Sequence, residues 1–219
     1  VVTLADTIDG SATDGYGTTD VLRNVEGVRG SVFNDTLNGS DTAPLESFEG
    51  RAGNDRIDGN GGIDMADYRA SPAGVNVNLG TGTAADGWGG TDTLIDIERV
   101  RGSRDTGDTL IGNNGANTLE GLGGNDSLSG GDGADVLDAG TGNDTVDGGV
   151  GSDTLRVLGN FDEYARLRPN ATDLVLVNAG TQEAITLRNV ETVQFADQSK
   201  PIADLIAGSA GTGNDSIVG

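Results

Sequence analysis

The chain has 219 residues, of which 34% are hydrophobic and 4% aromatic, so it does not read as a conventional close-packed domain. Its 35 acidic and 13 basic residues give a formal charge of −22, which argues against nucleic acid and anionic membrane as partners. It contains no Cys and no His, which removes disulfides, thiolate and imidazole catalysis and Cys/His zinc sites.

The acids divide into 27 Asp and 8 Glu. Asp avoids helix interiors and favours turns, so the carboxylates are expected in loops, where a divalent cation is the simplest partner for them. The 38 glycines recur at fixed spacing between Leu, Val and Ile, as low-complexity linkers do not, and ordered repeats are therefore expected. No apolar run approaches the roughly 18 residues needed to span a bilayer, so membrane insertion is not expected. The N-terminal residues lack the basic-then-apolar pattern of a signal peptide, and any export signal is expected outside this stretch.

In chain order, residues 1–29 read as a β lead-in, GYGTTDVLRNVEGVRGS, which returns later with Trp88 in place of Tyr16, Leu94 of Leu22, Ile97 of Val25 and Glu98 of Glu26. Residues 30–70 hold a short array of nine-residue repeats, with Asp35, Asp55 and Asp64 in one slot and Leu37, Phe48, Ile57 and Ala66 in another. An eleven-residue member around Pro44 interrupts it and places Glu46 where the Asp is expected. Residues 71–102 read as a β linker, in which Val75, Val77 and Leu79 alternate as on a half-buried strand.

From 103 to 157 the nine-residue frame is nearly unbroken: SRDTGDTLI, GNNGANTLE, GLGGNDSLS, GGDGADVLD, AGTGNDTVD, GGVGSDTLR. Its sixth position is Asp108, Asn117, Asp126, Asp135, Asp144 and Asp153; its eighth is Leu110, Leu119, Leu128, Leu137, Val146 and Leu155. Residues 158–206 read as a small antiparallel β cap, with strands near Tyr164–Leu167, Leu174–Val177, Ile185–Leu187 and Val193–Phe195, and TLRNVETVQF repeats the L-x-x-(V/I)-E element a third time. Residues 207–219 open a third array with AGTGNDSIV.

Within each nine, the first six residues must turn sharply and bring carbonyls together, which suits glycine, and the last three form a short strand with its central residue inward. One buried aliphatic side chain per nine residues does not offset the conformational entropy of ordering them, and columns of Asp add repulsion. Bound divalent cations answer both deficits, and the all-oxygen donor set suits Ca²⁺ better than a transition metal.

GGDGADVLD and GGVGSDTLR resemble the RTX calcium-binding nonapeptide GGxGxDxUx, where U is a large apolar residue. The resemblance implies an all-β fold of right-handed parallel β-rolls, joined and capped by short antiparallel segments. Two nines then make one turn, so that loops 18 residues apart stack, pairing Asp108 with Asp126, Asp126 with Asp144, Asn117 with Asp135 and Asp135 with Asp153. It implies calcium ligation by those side chains together with carbonyls near Gly115, Gly124, Gly133, Gly142 and Gly151. In the flanking arrays the implied ligands are Asp35, Gly53, Asp55, Gly62, Asp64, Gly213 and Asp215. Asn117 brings no charge and Thr106 replaces a loop glycine, which weakens the first turn.

The resemblance further implies a piece of a larger protein exported by type I secretion and folded by calcium outside the cell. Two other readings compete with this one. Carboxylate pairs such as Asp64/Asp67, Asp135/Asp138 and Asp144/Asp147 suggest hydrolysis, but they recur wherever the ninth position is also Asp and so belong to the repeat. Binding of an extracellular polysaccharide would use Tyr16 and Trp88 as stacking platforms; packing in a duplicated element explains them more simply, and Arg99, Arg101 and Arg104 form the one tight basic cluster for a polyanion. A stiffened segment of an adhesin or surface-layer protein, contacting neighbouring domains of its parent, is compatible with the calcium reading.

Overall fold

The computed structural model describes residues 1–3, 10–13, 19–22, 25–41 and 45–207. The chain divides into two compact units, 1–103 and 104–219.

In the first unit the strands are β1 (Val2–Thr3), β2 (Gly10–Thr13), β3 (Thr19–Leu22), β4 (Gly27–Arg29), β5 (Thr36–Asn38), β6 (Glu46–Glu49), β7 (Arg56–Asp58), β8 (Asp64–Asp67), β9 (Asn76–Asn78), β10 (Thr83–Ala85), β11 (Thr91–Ile95) and β12 (Arg99–Arg101). Two parallel ladders alternate along the chain. One runs β1-β5-β7-β11 with Val2, Leu37, Ile57 and Leu94 in register. The other runs β4-β6-β8-β12 with Val28, Phe48, Ala66 and Val100 in register. Antiparallel strands flank the first ladder, β2 and β3 beyond β1, and β10 and β9 beyond β11.

The second unit repeats the scheme with β13 (Thr109–Ile111), β14 (Thr118–Glu120), β15 (Ser127–Gly133), β16 (Val136–Asp138), β17 (Asp144–Gly151) and β18 (Thr154–Arg156). Each three-residue strand leaves room for one inward side chain, because successive residues face opposite sides. Those side chains are the eighth positions of the frame, Leu110, Leu128 and Val146 in one sheet and Leu119, Leu137 and Leu155 in the other, all effectively fully buried. This is a parallel β-roll, as the spacing predicts.

After β18 a 3₁₀ turn (Phe161–Glu163) leads into β19 (Tyr164–Leu167), β20 (Leu174–Asn178), β21 (Ala184–Arg188), β22 (Thr192–Gln194), β23 (Ser199–Pro201) and a short helix α1 (Ile202–Ala207). A roll ends on an open apolar face and unpaired strand edges, so the chain must close it. Here the structure modifies the expected antiparallel cap. β21 pairs parallel to β17 and β22 parallel to β18, so Leu187 and Val193 extend the two apolar columns by one more coil. Only β19, β20 and β23 are antiparallel additions. The strand expected at Val193–Phe195 lies one residue earlier, because the Phe195 N–H donates to the Gln198 carbonyl in the turn to β23, while its ring packs edge-on against Phe161 and beside Tyr164. The same holds in the segment expected as a linker: β11 and β12 are roll strands, and the excursion between β8 and β11 is the β9-β10 hairpin. The insertion around Pro44, the aromatic Tyr16 and the third array with Gly213 and Asp215 lie outside the described residues.

Candidate metal centre

Six of the nine-residue loops turn through left-handed backbone at their fourth position, where Gly53, Gly62, Gly124, Gly133, Gly142 and Gly151 have φ between +119° and +154°. Coils stack there without room for a side chain: a Cβ on Gly142 would lie 1.7 Å from the carbonyl oxygen of Gly124, and one on Gly151 would lie 1.5 Å from that of Gly133. Gly115 is not left-handed, and its Cβ would meet only the Asn113 side chain at 3.3 Å. Thr106 holds the equivalent place one nine earlier, so the first coil departs from the regular loop, as its sequence indicates.

The sixth positions form ladders. The N–H of Asp108 donates to Asp126 Oδ1 at 2.8 Å and that of Asp126 to Asp144 Oδ1 at 2.9 Å. On the other edge Asn117 donates to Asp135 Oδ1 at 2.8 Å and Asp135 to Asp153 Oδ1 at 2.9 Å. These are the four pairs set by the 18-residue spacing. In the first unit Asp35 donates to Asp55 and Glu46 to Asp64, again through backbone N–H to carboxylate. Glu46 thus occupies the slot its alignment gave it, and its own carboxylate accepts from the Ser40 N–H at 2.7 Å.

One carboxylate oxygen per rung is therefore spent on the neighbouring coil. The other, Oδ2, is buried without a hydrogen-bond partner in Asp55, Asp64, Asp126, Asp135, Asp144 and Asp153, residues at most 3% exposed. An orphaned buried carboxylate oxygen is costly and calls for a partner. At Asp64, Asp126, Asp135 and Asp153 a carbonyl oxygen shares the space beside Oδ2. A Cβ on Gly130 would lie 2.2 Å from Asp135 Oδ2 and 2.4 Å from the Gly148 carbonyl; one on Gly121 would lie 2.4 Å from Asp126 Oδ2 and 2.7 Å from the Ala139 carbonyl. Carboxylate and carbonyl oxygens converging on one small space suit a hard cation that takes oxygen ligands at 2.3–2.6 Å. Among the described residues no three acidic side chains gather at one point, so such a site has to be completed by main-chain carbonyls.

The electrostatics agree. Burial pushes the Asp126 carboxyl up to about 7, and the charges of Asp108 and Asp144 act the same way while the Asp108 N–H opposes them. Burial raises Asp64 to about 7 against the Glu46 N–H, with Glu46, Glu98 and Asp96 adding repulsion. Asp55 and Asp144 reach about 6 for the same first reason, and Asp135 and Asp153 are raised by burial as well. Without a counter-cation the folded ladder holds its carboxylates at a cost.

Several rungs escaped the sequence reading. The Asp55 N–H donates to Asp92, the Asp64 N–H to Glu98 and the Asp153 N–H to Glu191. Asp92 is the sixth position of a nonapeptide in the presumed linker, GWGGTDTLI (Gly87–Ile95), whose glycine and aspartate spacing was the available signal. Glu98 and Glu191 come from the recurring L-x-x-(V/I)-E element, which supplies end rungs. A second ladder uses fifth-position asparagines: Asn34 accepts from Asn54, Asn54 from Thr91, Asn125 from Asn143 and Asn143 from Ala184.

The acid pairs that suggested hydrolysis have members with different partners. Asp64 bonds the Glu46 backbone, whereas Asp67 lies 3.1 Å from Arg69 and 3.5 Å from Arg101. Asp144 bonds the Asp126 backbone, whereas Asp147 accepts from Asn189.

A family model described as RTX calcium-binding nonapeptide repeat (4 copies) matches residues 47–66, 104–137 and 120–155. Among solved structures, the chain is similar to the crystal structure of extracellular lipase LipA from Serratia marcescens, with 20% identity and a TM-score of 0.20. That match covers 77% of this chain and 38% of the lipase chain. No curated protein sequence matches.

Proposed function

This chain carries RTX calcium-binding nonapeptide repeats, and we propose that calcium ions seated between stacked loops drive its folding, so that the chain is expanded where calcium is scarce and compact where it is plentiful. The observation that carries the reading is the set of orphaned Oδ2 atoms, four of which, those of Asp64, Asp126, Asp135 and Asp153, share with a carbonyl oxygen a space that a single methyl group would fill. In this reading Asp35, Asp55, Asp64, Asp108, Asp126, Asp135, Asp144 and Asp153 are carboxylate ligands. Gly53, Gly62, Gly124, Gly133, Gly142 and Gly151 supply carbonyls, and Asn117 and Gly115 belong to a weaker first site. Rolls over 30–70 and 103–157, with closing segments at 71–102 and 158–206, are the working units, the first extended by the coil 87–101. The chain's role is structural and regulatory: a calcium-triggered fold serving a parent protein exported by type I secretion to the cell exterior.

Circular dichroism and small-angle scattering test this. With excess chelator the chain should be expanded, and calcium at millimolar concentration, but not magnesium, should convert it to a compact β-rich form. A chelator-treated chain that keeps its compact β structure would reject calcium-driven folding.

A further inference from the structure

The loop that closes the first roll departs from the repeat scheme at its carboxylates. Asp92 holds the sixth position of its nonapeptide and, like every interior rung, accepts a backbone N–H on Oδ1, here from Asp55 at 3.0 Å. Its Oδ2, however, is not orphaned. The buried Tyr68 hydroxyl donates to it at 3.0 Å, so both Asp92 oxygens already hold a hydrogen bond within the protein.

Asp86, six residues earlier and outside the nine-residue register, has the missing oxygen. Its Oδ1 accepts the backbone N–H groups of Trp88, Gly89 and Gly90, each at 2.8 Å, which pins the carboxylate in one orientation. The residue is completely buried and its Oδ2 has no hydrogen-bond partner. A Cβ on Gly90 would lie 1.8 Å from the Gly53 carbonyl oxygen and 2.7 Å from Asp86 Oδ2. Gly90 is the fourth residue of its nonapeptide, and its approach to Gly53 is the coil-on-coil contact also made by Gly142 on Gly124; what differs here is that an unpartnered carboxylate oxygen, Asp86 Oδ2, lies beside that carbonyl. The neighbouring loop 50–55 adds the second orphaned oxygen, Asp55 Oδ2, lying 2.4 Å from where a Cβ on Gly50 would be.

We propose that the first roll is closed by an additional calcium site, in which Asp86 supplies through Oδ2 the carboxylate oxygen that Asp92 has given up to Tyr68, facing Asp55 and the Gly53 carbonyl. The site rests on the calcium reading of the repeats, and it adds a ligand that repeat spacing does not encode. Tyr68 sets the boundary: by donating to Asp92 it ends the carboxylate column without a further ion, and Asp86 takes over on the side facing the roll. The competing outcome is that no ion is held at Asp86.

The test uses the whole chain, calcium, and terbium(III) as an oxygen-seeking calcium surrogate. Trp88 is the only tryptophan in the sequence and lies two residues from Asp86, so exciting it selectively at the red edge of tryptophan absorption makes bound terbium near this loop luminesce. Asp86→Asn keeps the Oδ1 acceptor for the three backbone donors and places an amide N–H₂ toward Gly53. It should bind one calcium fewer by equilibrium dialysis and lose the tryptophan-sensitised emission, with its β-rich dichroism in calcium retained. An unchanged ion count with undiminished emission overturns the site. Should Asp86→Asn fail to fold, the unsubstituted chain decides: calcium-displaceable, tryptophan-sensitised emission supports the site, and terbium uptake without such emission overturns it. Asp126→Asn separates this question from the wider one. If that variant loses ions and Asp86→Asn does not, only the Asp86 site falls; if the unsubstituted chain takes up no calcium, the repeat reading falls with it.

Discussion

Asp126→Asn should shift the calcium-free and calcium-loaded chains in opposite directions. Asn keeps the Oδ1 that accepts the Asp108 N–H at 2.8 Å, and Asn117 already shows that the slot accommodates an amide, which is buried there and accepts the Asn113 N–H. What Asn removes is the charge. The Asp126 carboxyl titrates at about 7 in the calcium-free fold against an ordinary 3.8, chiefly because it is buried. Ionising it at neutral pH therefore destabilises the calcium-free fold by at most about 4 kcal/mol, since each tenfold step is worth about 1.4 kcal/mol. Part of that relief is shared with Asp108 and Asp144, so a gain of about 1–3 kcal/mol is expected at pH 7 without calcium. Asp126→Ala removes the acceptor too, leaves the Asp108 donor buried and unpaired, and should forfeit about 1–3 kcal/mol of that gain. With calcium both variants lose a ligand oxygen and should need more calcium to fold. Thermal unfolding followed by dichroism, in chelator with an excluded osmolyte to bring the chain into range and then in calcium, measures both effects. The reasoning fails if Asp126→Asn is as unstable as Asp126→Ala in chelator, or if its calcium midpoint equals that of the unsubstituted chain.

The raised carboxyls set a pH dependence with a definite sign. Between 3.8 and about 7 the calcium-free fold binds more protons than the unfolded chain through Asp55, Asp64, Asp92, Asp126 and Asp144, so its stability is fully present below 3.8 and lost as pH rises through about 6–7. In chelator the chain should gain β structure on acidification from pH 7.5 to about 4.5, and its calcium midpoint should rise below pH 7 because protons compete; dichroism across that range checks both. Gly142→Ala places a Cβ 1.7 Å from the Gly124 carbonyl at φ +131° and should abolish cooperative calcium folding, whereas Gly115→Ala, with ordinary backbone and 3.3 Å of clearance, should fold with a calcium midpoint within about twofold of the original.

What was legible in the sequence is what a constant period encodes. Asp108, Asp126 and Asp144 recur at 18, and so do the apolar residues Leu110, Leu128 and Val146 beneath them, because every coil of a roll places the same atoms one strand spacing further along. The end rungs break that period. Glu98 lies 34 residues beyond Asp64 and Glu191 lies 38 beyond Asp153, since a hairpin excursion or a string of cap strands comes between them. Nothing in local spacing announces that a Glu after such an excursion returns to the slot. Asp92 was concealed differently: GWGGTDTLI fits the frame, but its tryptophan and the irregular residues before it hid the repeat. Asp86 carries no periodic mark at all, and its role depends on where Tyr68 and Gly53 arrive once the chain is folded.

The end rungs also show why glutamate recurs in the closing element. An interior Asp both accepts from the coil before it and donates its own N–H to the coil after it, so the column has no natural stop. A terminal rung must accept without requiring a successor. Glutamate does so here from backbone that stays in register, Arg99 opposite Met65 and Thr192 opposite Thr154, and its carboxylate accepts the Asp64 N–H at 2.9 Å and the Asp153 N–H at 2.7 Å. Two other solutions appear: Asp92, whose second oxygen accepts from Tyr68, and Ile185, which stands opposite Asp144 and replaces the carboxylate by an apolar side chain. Each solution stops the column without leaving another orphaned oxygen beyond the last coil. A roll that needs cations between its coils can then end on a face that needs none.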